Sequence, residues 1–259
     1  MKLATWNVNS LKARLPRVLE FLARHEPEVL LLQETKCERD AFPNEELGSA
    51  GYHAVHHSAG RWAGVAVVAR RELSLEDETR GLPGEAAPDE ARWVAVRVGG
   101  LDDGMHVASV YVPNGRAVDS PEFARKLAFL DAMCERAGML DVIAGDLNVT
   151  RADMDVYDPA AFAGSTHVTP DERARLEAIL DAGLVDAYRH LHPDEVGFTW
   201  WDYRQGHFHR KMGLRIDYML LAARHLGRLR WCGIDRDFRK GSKPSDHAPL
   251  LAELGSPGP

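Results

Sequence analysis

The sequence predicts an α/β domain with many strands and helices on the outside. Three observations carry that prediction. Short apolar, β-branched segments recur along the chain, stripes of apolar residues at helical spacing lie between them, and polar residues stand where the apolar segments end. Residues 2–8 read as a buried strand. Leu15, Val18, Leu19 and Leu22 follow at helical spacing, with Pro16 suited to a first turn. Residues 27–33 form a second buried strand, and the Pro/Gly-containing stretch 81–88 is a loop. Segments 92–98 and 105–112 alternate as β-strands do. A helix starts at Pro121, with Phe123, Leu127, Leu130, Cys134 and Ala137 in one stripe. Residues 142–144 are a short buried strand. Thr169-Pro170-Asp171-Glu172 is a capping box, and Gly183 is placed to end the helix it starts. Leu214, Ile216, Tyr218 and Leu220 alternate as a further strand. No linker divides the chain, so a single domain is expected over 1–254, with a frayed tail at 255–259.

Composition narrows the class. The chain has 259 residues, 45% hydrophobic and 27% charged, which is enough apolar material for a sizeable core. Apolar runs such as 29–32 are far shorter than the ~20 residues that span a bilayer. The N-terminus lacks the pattern of a secretory signal, and three scattered cysteines make no disulfide framework. A soluble protein of a reducing compartment, cytoplasmic and not membrane-bound, is expected. The net charge of −7 argues against a simple basic coat for nucleic acid. Yet residues 188–246 hold twelve Lys/Arg against seven Asp/Glu, and a positive region on an acidic body still steers a polyanion. No heptad or long apolar surface helix is present, so a monomer is expected.

The chemistry gathers at strand ends. Asn7 and Asn9 follow one strand, Glu34 another, and Tyr111 closes a third before Asn114. Asp146 and Asn148 follow the strand at 142–144, Asp217 follows Ile216, and Asp246-His247 precedes an apolar segment. In layered α/β folds such ends meet at one rim, where ligands bind. Glu34 and Asp246 are hard oxygen donors suited to Mg²⁺ or Mn²⁺. Asp146 is suited to take a proton from water, with Asn148 holding that water. His247, oriented by a carboxylate such as Asp217, is suited to donate to a phosphoryl oxygen. Tyr111 is placed to contact phosphate or the leaving oxygen. The set fits metal-assisted phosphodiester hydrolysis, although taken alone an acid ending a strand is more often a cap or a salt-bridge member, Tyr111 more often a half-buried strand tyrosine, and the asparagines read also as turn residues.

Other chemistries lack support. There is no GxGxxG, no P-loop and no GxSxG, and the consecutive Ser245, Asp246 and His247 cannot form a relay. The pairs His190/His192 and His207/His209 lie in polar, loop-like stretches without a carboxylate partner, and read as solvated or phosphate-facing. Phe198, Trp200, Trp201 and Tyr203 precede Arg204, Arg210 and Lys211; aromatic groups among cations suit nucleic acid.

Seven motifs then make the chain recognisable: Thr5-Trp6-Asn7-Val8-Asn9, Leu32-Gln33-Glu34-Thr35-Lys36, Tyr111-Val112-Pro113-Asn114, Gly145-Asp146-Leu147-Asn148, Trp200-Trp201-Asp202-Tyr203, Gly213-Leu214-Arg215-Ile216-Asp217-Tyr218 and Lys243-Pro244-Ser245-Asp246-His247-Ala248-Pro249. In this order they resemble the exonuclease III family of apurinic/apyrimidinic endonucleases, within the endonuclease/exonuclease/phosphatase superfamily. The resemblance implies a four-layer α/β sandwich, two mixed sheets face to face with helices outside. It implies cleavage of duplex DNA 5′ to abasic sites, accompanied by 3′-to-5′ exonuclease and 3′-end-cleaning activity, with Mg²⁺ as cofactor and Mn²⁺ able to substitute. It makes Glu34 a metal ligand, with Asn7, Asp246, Asp146, Asn148 and His247 around the same ion. It makes Asp146, Asn148, Asp217, His247 and Tyr111 the catalytic set. Asn9, Lys36, Asn114, Arg116, Arg210 and Lys211 would face DNA, and Trp200, Leu214 and Trp201 would wall the pocket for a base-less sugar. A nucleoid-associated location would follow. Departures lie at Arg61-Trp62-Ala63-Gly64 and in segments 115–120 and 154–166, which match no one relative closely. Two other readings keep the fold: a non-catalytic nucleic-acid-binding regulator, and a phosphodiesterase of inositol phosphates or sphingolipids.

Overall fold

The structure, a computed structural model, describes residues 1–101 and 104–256. Of the tail expected to fray, 257–259 lie outside the described residues. One sheet has the order β11 (Leu229–Ile234), β12 (Leu250–Leu254), β1 (Lys2–Asn7), β2 (Val29–Gln33), β4 (Val65–Arg70), β3 (Tyr52–His57). The other runs β5 (Ser74–Arg80), β6 (Trp93–Gly99), β7 (Met105–Tyr111), β8 (Val142–Asp146), β10 (Asp217–Ala222), β9 (Leu184–Asp186). Leu3, Val29, Leu31 and Val67 of the first sheet meet Val94, Val107, Ala144 and Met219 of the second in a shared, fully buried core. On the outer faces, α1 (Leu11–His25) packs Val18, Phe21 and Leu22 on Ala4, Trp6 and Leu32, and the short α2 (Asn44–Ser49) adds Leu47. On the other side α3 (Pro121–Ala137) and α5 (Pro170–Asp181), with the short α4 (Pro159–Phe162) between them in sequence, pack Phe129, Met133, Leu176 and Ile179 on Val110, Ile143 and Leu220. The result is helix, sheet, sheet, helix, as the resemblance implies. Apolar residues therefore cover both faces of the central strands, which explains their unbroken apolar runs.

Register fixes where the chemistry goes. Each sheet contains one parallel pair, β1 with β2 and β7 with β8, so the C-terminal ends of four strands open at one rim. Asn7 lies opposite Gln33, one residue before Glu34; Tyr111 lies opposite Asp146; and antiparallel β10 begins with Asp217 opposite the same Asp146. A buried polar bridge joins the two sheets beneath this rim, Gln33 Nε2 donating to Ser109 Oγ at 3.0 Å and Ser109 Oγ donating to the Leu32 carbonyl at 2.9 Å.

Gly145 is the tight point. Its φ is +153°, and a Cβ there would stand 2.0 Å from the Val110 carbonyl oxygen of the neighbouring strand. Backbone cannot give way as a side chain can, so Gly145→Ala is expected to cost about 2–3 kcal/mol by forcing β7 from β8. Urea unfolding checks this; an unchanged midpoint would show that the strands separate freely.

Three local readings need correction. Pro16 lies in the sixth position of α1, not its first turn, because the helix starts earlier, with Ser10 Oγ accepting from the Ala13 N–H. His190 sits in a short helix, α6 (Ala187–Leu191), that Asp186 caps by accepting from the Arg189 N–H, so this stretch is not a loop. The buried face of α3 is rotated from the expected stripe: Leu127 and Cys134 are only half-buried, while Phe129, Met133 and Lys126 are buried.

Candidate active site

Asn7 is the hinge of the rim. Its Nδ2 donates to Glu34 Oε1 at 2.7 Å and to Asp146 Oδ2 at 2.9 Å, joining a carboxylate of one sheet to a carboxylate of the other. Ser245 Oγ donates to the Asn7 carbonyl at 2.7 Å, which brings the 244–247 segment to the same place. There His247 Nδ1 lies 2.8 Å from Asp217 Oδ2, and its Nε2 faces Asp146 Oδ2 at 3.7 Å. Donor atoms of Glu34, Asp146 and His247 lie within 4.8 Å of one another. Two hard carboxylates joined by an amide, with an imidazole beside them, suit a divalent cation.

Burial shapes the electrostatics. Burial works against an imidazolium, but Asp217 and Asp146 outweigh it and hold the His247 pKa up at about 10. Burial also raises Asp146, opposed by His247 and reinforced by Asp217 and Glu34, to about 8. The pair thus retains a proton that a carboxylate and an imidazole in water would release. Tyr111 is held well above its ordinary value by burial and by the Glu34 and Asp146 charges, so it is a phenol donor at neutral pH. The Arg92 guanidinium stacks over its ring at 4.9 Å.

Several residues of the set sit in the left-handed region: Asn9 at φ 44°, Glu34 at 51°, Lys36 at 48° and Asn148 at 52°. Such a backbone costs about 1–3 kcal/mol per non-glycine residue and clusters where geometry serves function. Here the chain turns sharply as it leaves a strand, so that side chains at i and i+2 face the same rim. Lys36 Nζ donates to Asn9 Oδ1 at 2.7 Å and pairs with Glu34 Oε2 at 2.5 Å. The Asn148 N–H donates to Asp146 Oδ1 at 2.9 Å, its Nδ2 donates to the Val112 carbonyl at 3.0 Å, and Asn114 Nδ2 reaches its Oδ1 at 3.4 Å.

Asp246 belongs to the rim but stands apart from the Glu34/Asp146/His247 cluster. One oxygen accepts from Asn9 Nδ2 and the other from Trp200 Nε1, each at 3.0 Å. A cavity of about 220 Å³ opens beside the Glu34/Asp146/His247 cluster, with Trp200, Leu214, Ile216 and Phe162 as apolar walls and Asn114 and His167 also lining it. The structure does not bring Trp201 there: it is buried elsewhere, packed edge-on against Phe208 with Arg236 over its ring. Arg210 and Lys211 are exposed, and Lys211 lines a different cleft, with Trp231 and Arg236. Arg116 and Asn114 line a second, larger cavity of about 550 Å³ that shares Tyr111 with the first and carries the exposed Trp62. His192 is engaged by the Cys232 carbonyl and by Glu195, at 2.8 and 2.9 Å, so it is not a solvated histidine.

Sequence reasoning missed Ile216, Phe162 and His167 as cavity residues. Ile216 follows by alternation from Leu214, but Phe162 and His167 sit in or beside the segment 154–166, which matches no one relative closely. His167 is held by the Asn148 carbonyl at its Nδ1, and burial with the Lys126 charge lowers its pKa to about 4, so it is neutral at pH 7.

Residues 4–247 match the Endonuclease/Exonuclease/phosphatase family. The chain is similar to exodeoxyribonuclease III of Haemophilus influenzae, 31% identical over 98% of this chain and 100% of that one. It is similar in structure to the 3′ phosphatase NExo from Neisseria, solved bound to a product DNA hairpin: 39% identity, TM-score 0.92, covering 98% of this chain and 99% of that one. An AP endonuclease from Archaeoglobus fulgidus matches with 34% identity and TM-score 0.92, again over 98% and 99% of the two chains.

Proposed function

The chain belongs to the endonuclease/exonuclease/phosphatase family, in its exonuclease III branch, and from that premise we propose a Mg²⁺-dependent DNA-repair nuclease. It hydrolyses the phosphodiester 5′ to abasic sites in duplex DNA and also processes 3′ ends. One observation carries this reading: Asn7 joins Glu34 to Asp146 across the two sheets, with the Asp217-held His247 facing the same space. Similarity to both an AP endonuclease and a 3′ phosphatase supports 3′-end processing beside abasic cleavage.

The roles follow from the contacts. Glu34 and Asp146, with Asn7 between them, would hold the cation, and Mn²⁺ would replace Mg²⁺ on the same oxygens. The ion supplies charge neutralisation at the phosphate when bound. Asp146, facing the same space as His247 Nε2, receives the proton of the attacking water. Asn148, fixed to Asp146 through its backbone, orients that water. His247 donates from Nε2 to a phosphoryl oxygen while Asp217 holds Nδ1. Tyr111 donates its phenol proton toward the phosphate or leaving oxygen. Trp200, Leu214, Ile216 and Phe162 enclose a sugar that carries no base. Asn114 and Arg116, which line the cavities, and Lys36, bonded to Asn9 and Glu34, are the DNA-side groups, and Asp246 fixes Asn9 and Trp200. A substrate of this kind implies work in the cytoplasm, with the nucleoid. No described helix is long and apolar enough to cross a membrane.

The test is a substrate panel under Mg²⁺: a duplex with a tetrahydrofuran abasic analogue, a duplex with a 3′ phosphate, a recessed 3′ end, and an inositol phosphate. Turnover of the DNA substrates, with the inositol phosphate untouched, is expected. Phosphate release from the small molecule alone would overturn the substrate assignment.

A further inference from the structure

The buried face of α3 contains a lysine. The Lys126 side chain is fully buried, and its Nζ reaches three loops of the active-site rim at once. It donates to the Asn148 carbonyl at 2.6 Å, to the Asn114 carbonyl at 3.2 Å and to Thr166 Oγ1 at 3.1 Å, and it pairs with Glu172, also fully buried. Glu172 is the acid of the capping box on α5: Oε2 accepts from the Thr169 N–H at 3.0 Å, and Oε1 accepts from the His167 N–H at 2.9 Å. Neither Asn114 nor Asn148 lies in a strand; the Asn114 carbonyl also accepts from Thr166 Oγ1 at 2.9 Å and the Asn148 carbonyl from His167 Nδ1, and the ammonium ties the two carbonyls to each other. Asn148 in particular turns its carbonyl inward through its left-handed backbone. The ammonium carries three N–H groups, so this one side chain reaches both carbonyls while it pairs with Glu172.

Stability alone does not call for this arrangement. Taking a lysine and a glutamate out of water is expensive, and an apolar pair of similar volume commonly does as well or better. We propose that Lys126 is a positioning residue for hydrolysis: its ammonium fixes the carbonyls of Asn114 and Asn148 so that the Asn148 amide meets the attacking water. The inference rests on the hydrolytic reading of the rim. Lys126 touches no substrate and acts through Asn148.

Lys126→Met alone strands the Glu172 charge, so the informative variant is Lys126→Met with Glu172→Gln. The glutamine preserves the capping box through its own carbonyl oxygen, and the pair leaves no buried charge. Cleavage of abasic duplex DNA is measured well below the melting midpoint of each protein, with Asn148→Ala as a second background. The expected result is a fall in kcat of about tenfold or more with KM within about threefold, since a shift of the order of 1 Å costs rate before binding. In the Asn148→Ala background the same two changes should alter kcat by no more than about twofold, because residues acting as one unit are not additive. A merely structural lysine would give additive losses in both backgrounds, and that result overturns the inference. So does wild-type kcat in the folded double variant. Wild-type protein that leaves DNA uncut would sink the functional reading instead. Amide exchange at 112–116 and 146–150 would then decide the positioning claim: it must quicken in the variant while α1 stays protected.

Discussion

Asp146→Asn should lower kcat by about 10³-fold or more while duplex binding survives. Two losses coincide at this side chain. In the proposed mechanism the carboxylate is the proton acceptor for water, worth about 10²–10⁴-fold by itself, and it is also one of the two hard oxygen donors around the candidate cation site. The asparagine is close to isosteric, but its single amide oxygen can accept from Asn7 Nδ2 or from the Asn148 N–H, not from both. The fold should hold, because the buried acid carries a raised pKa and its neutral form is tolerated there. Single-turnover cleavage against anisotropy on the same labelled duplex separates rate from binding. Glu34→Gln should behave alike. Wild-type turnover by either variant would remove the assignment.

The largest effect on stability is expected at Arg215. Its guanidinium is buried, with Nε and one terminal nitrogen on the two oxygens of Asp155 at 2.8 and 3.0 Å and the other on Asp186 at 2.7 Å. Arg189 adds a contact to Asp155 at 2.6 Å, and the Tyr218 ring packs on the Arg215 guanidinium at 4.6 Å. The Arg215 N–H also donates to the Asp155 carbonyl, and Val156 bridges Leu214, so this cluster sets the Leu214 wall of the 220 Å³ cavity. Arg215→Met leaves Asp186 buried without its partner and Asp155 with Arg189 alone. Breaking a buried pair in this way costs about 3–5 kcal/mol, a large share of a domain's stability. Arg215→Lys should not restore it, since an ammonium lacks the planar fork that spans two carboxylates. Urea midpoints measure both variants, and an Arg215→Lys protein as stable as wild type would show that charge without geometry suffices.

Residues that end an apolar strand were legible. Asn7, Glu34, Tyr111 and Asp146 each close a run whose period is plain, and parallel pairing then levels them at one rim. Their meeting across two sheets was carried by the resemblance, since spacing alone says nothing of which strands are neighbours. β5 was not legible: Ser-Leu-Glu-Asp-Glu-Thr-Arg is an edge strand exposed along nearly all its length, so no apolar period marks it. β3, also at an edge, carries three histidines and is only half-buried beyond Tyr52. β4 is an unbroken apolar run, Val-Ala-Val-Val-Ala, too short for periodicity to tell strand from helix. Pro16 drew the start of α1 inward because proline is common at first turns, whereas Ser10 is the cap in fact. Lys126 was invisible for the opposite reason. A lysine in a helical pattern reads as solvent-facing, and its acceptors come from residues 114, 148, 166 and 172, distant in sequence.

Metal-assisted cleavage at the Asn7-linked carboxylates is the central claim. Its most direct test is a labelled duplex with one tetrahydrofuran abasic analogue, incubated with Mg²⁺ or with EDTA, beside an undamaged duplex with a recessed 3′ end. A nick immediately 5′ to the lesion, present with Mg²⁺ and abolished by chelation, is the predicted result, and the second duplex reports the exonuclease that accompanies it. Folded protein that binds both duplexes and cuts neither, or that cuts equally well in EDTA, would contradict it.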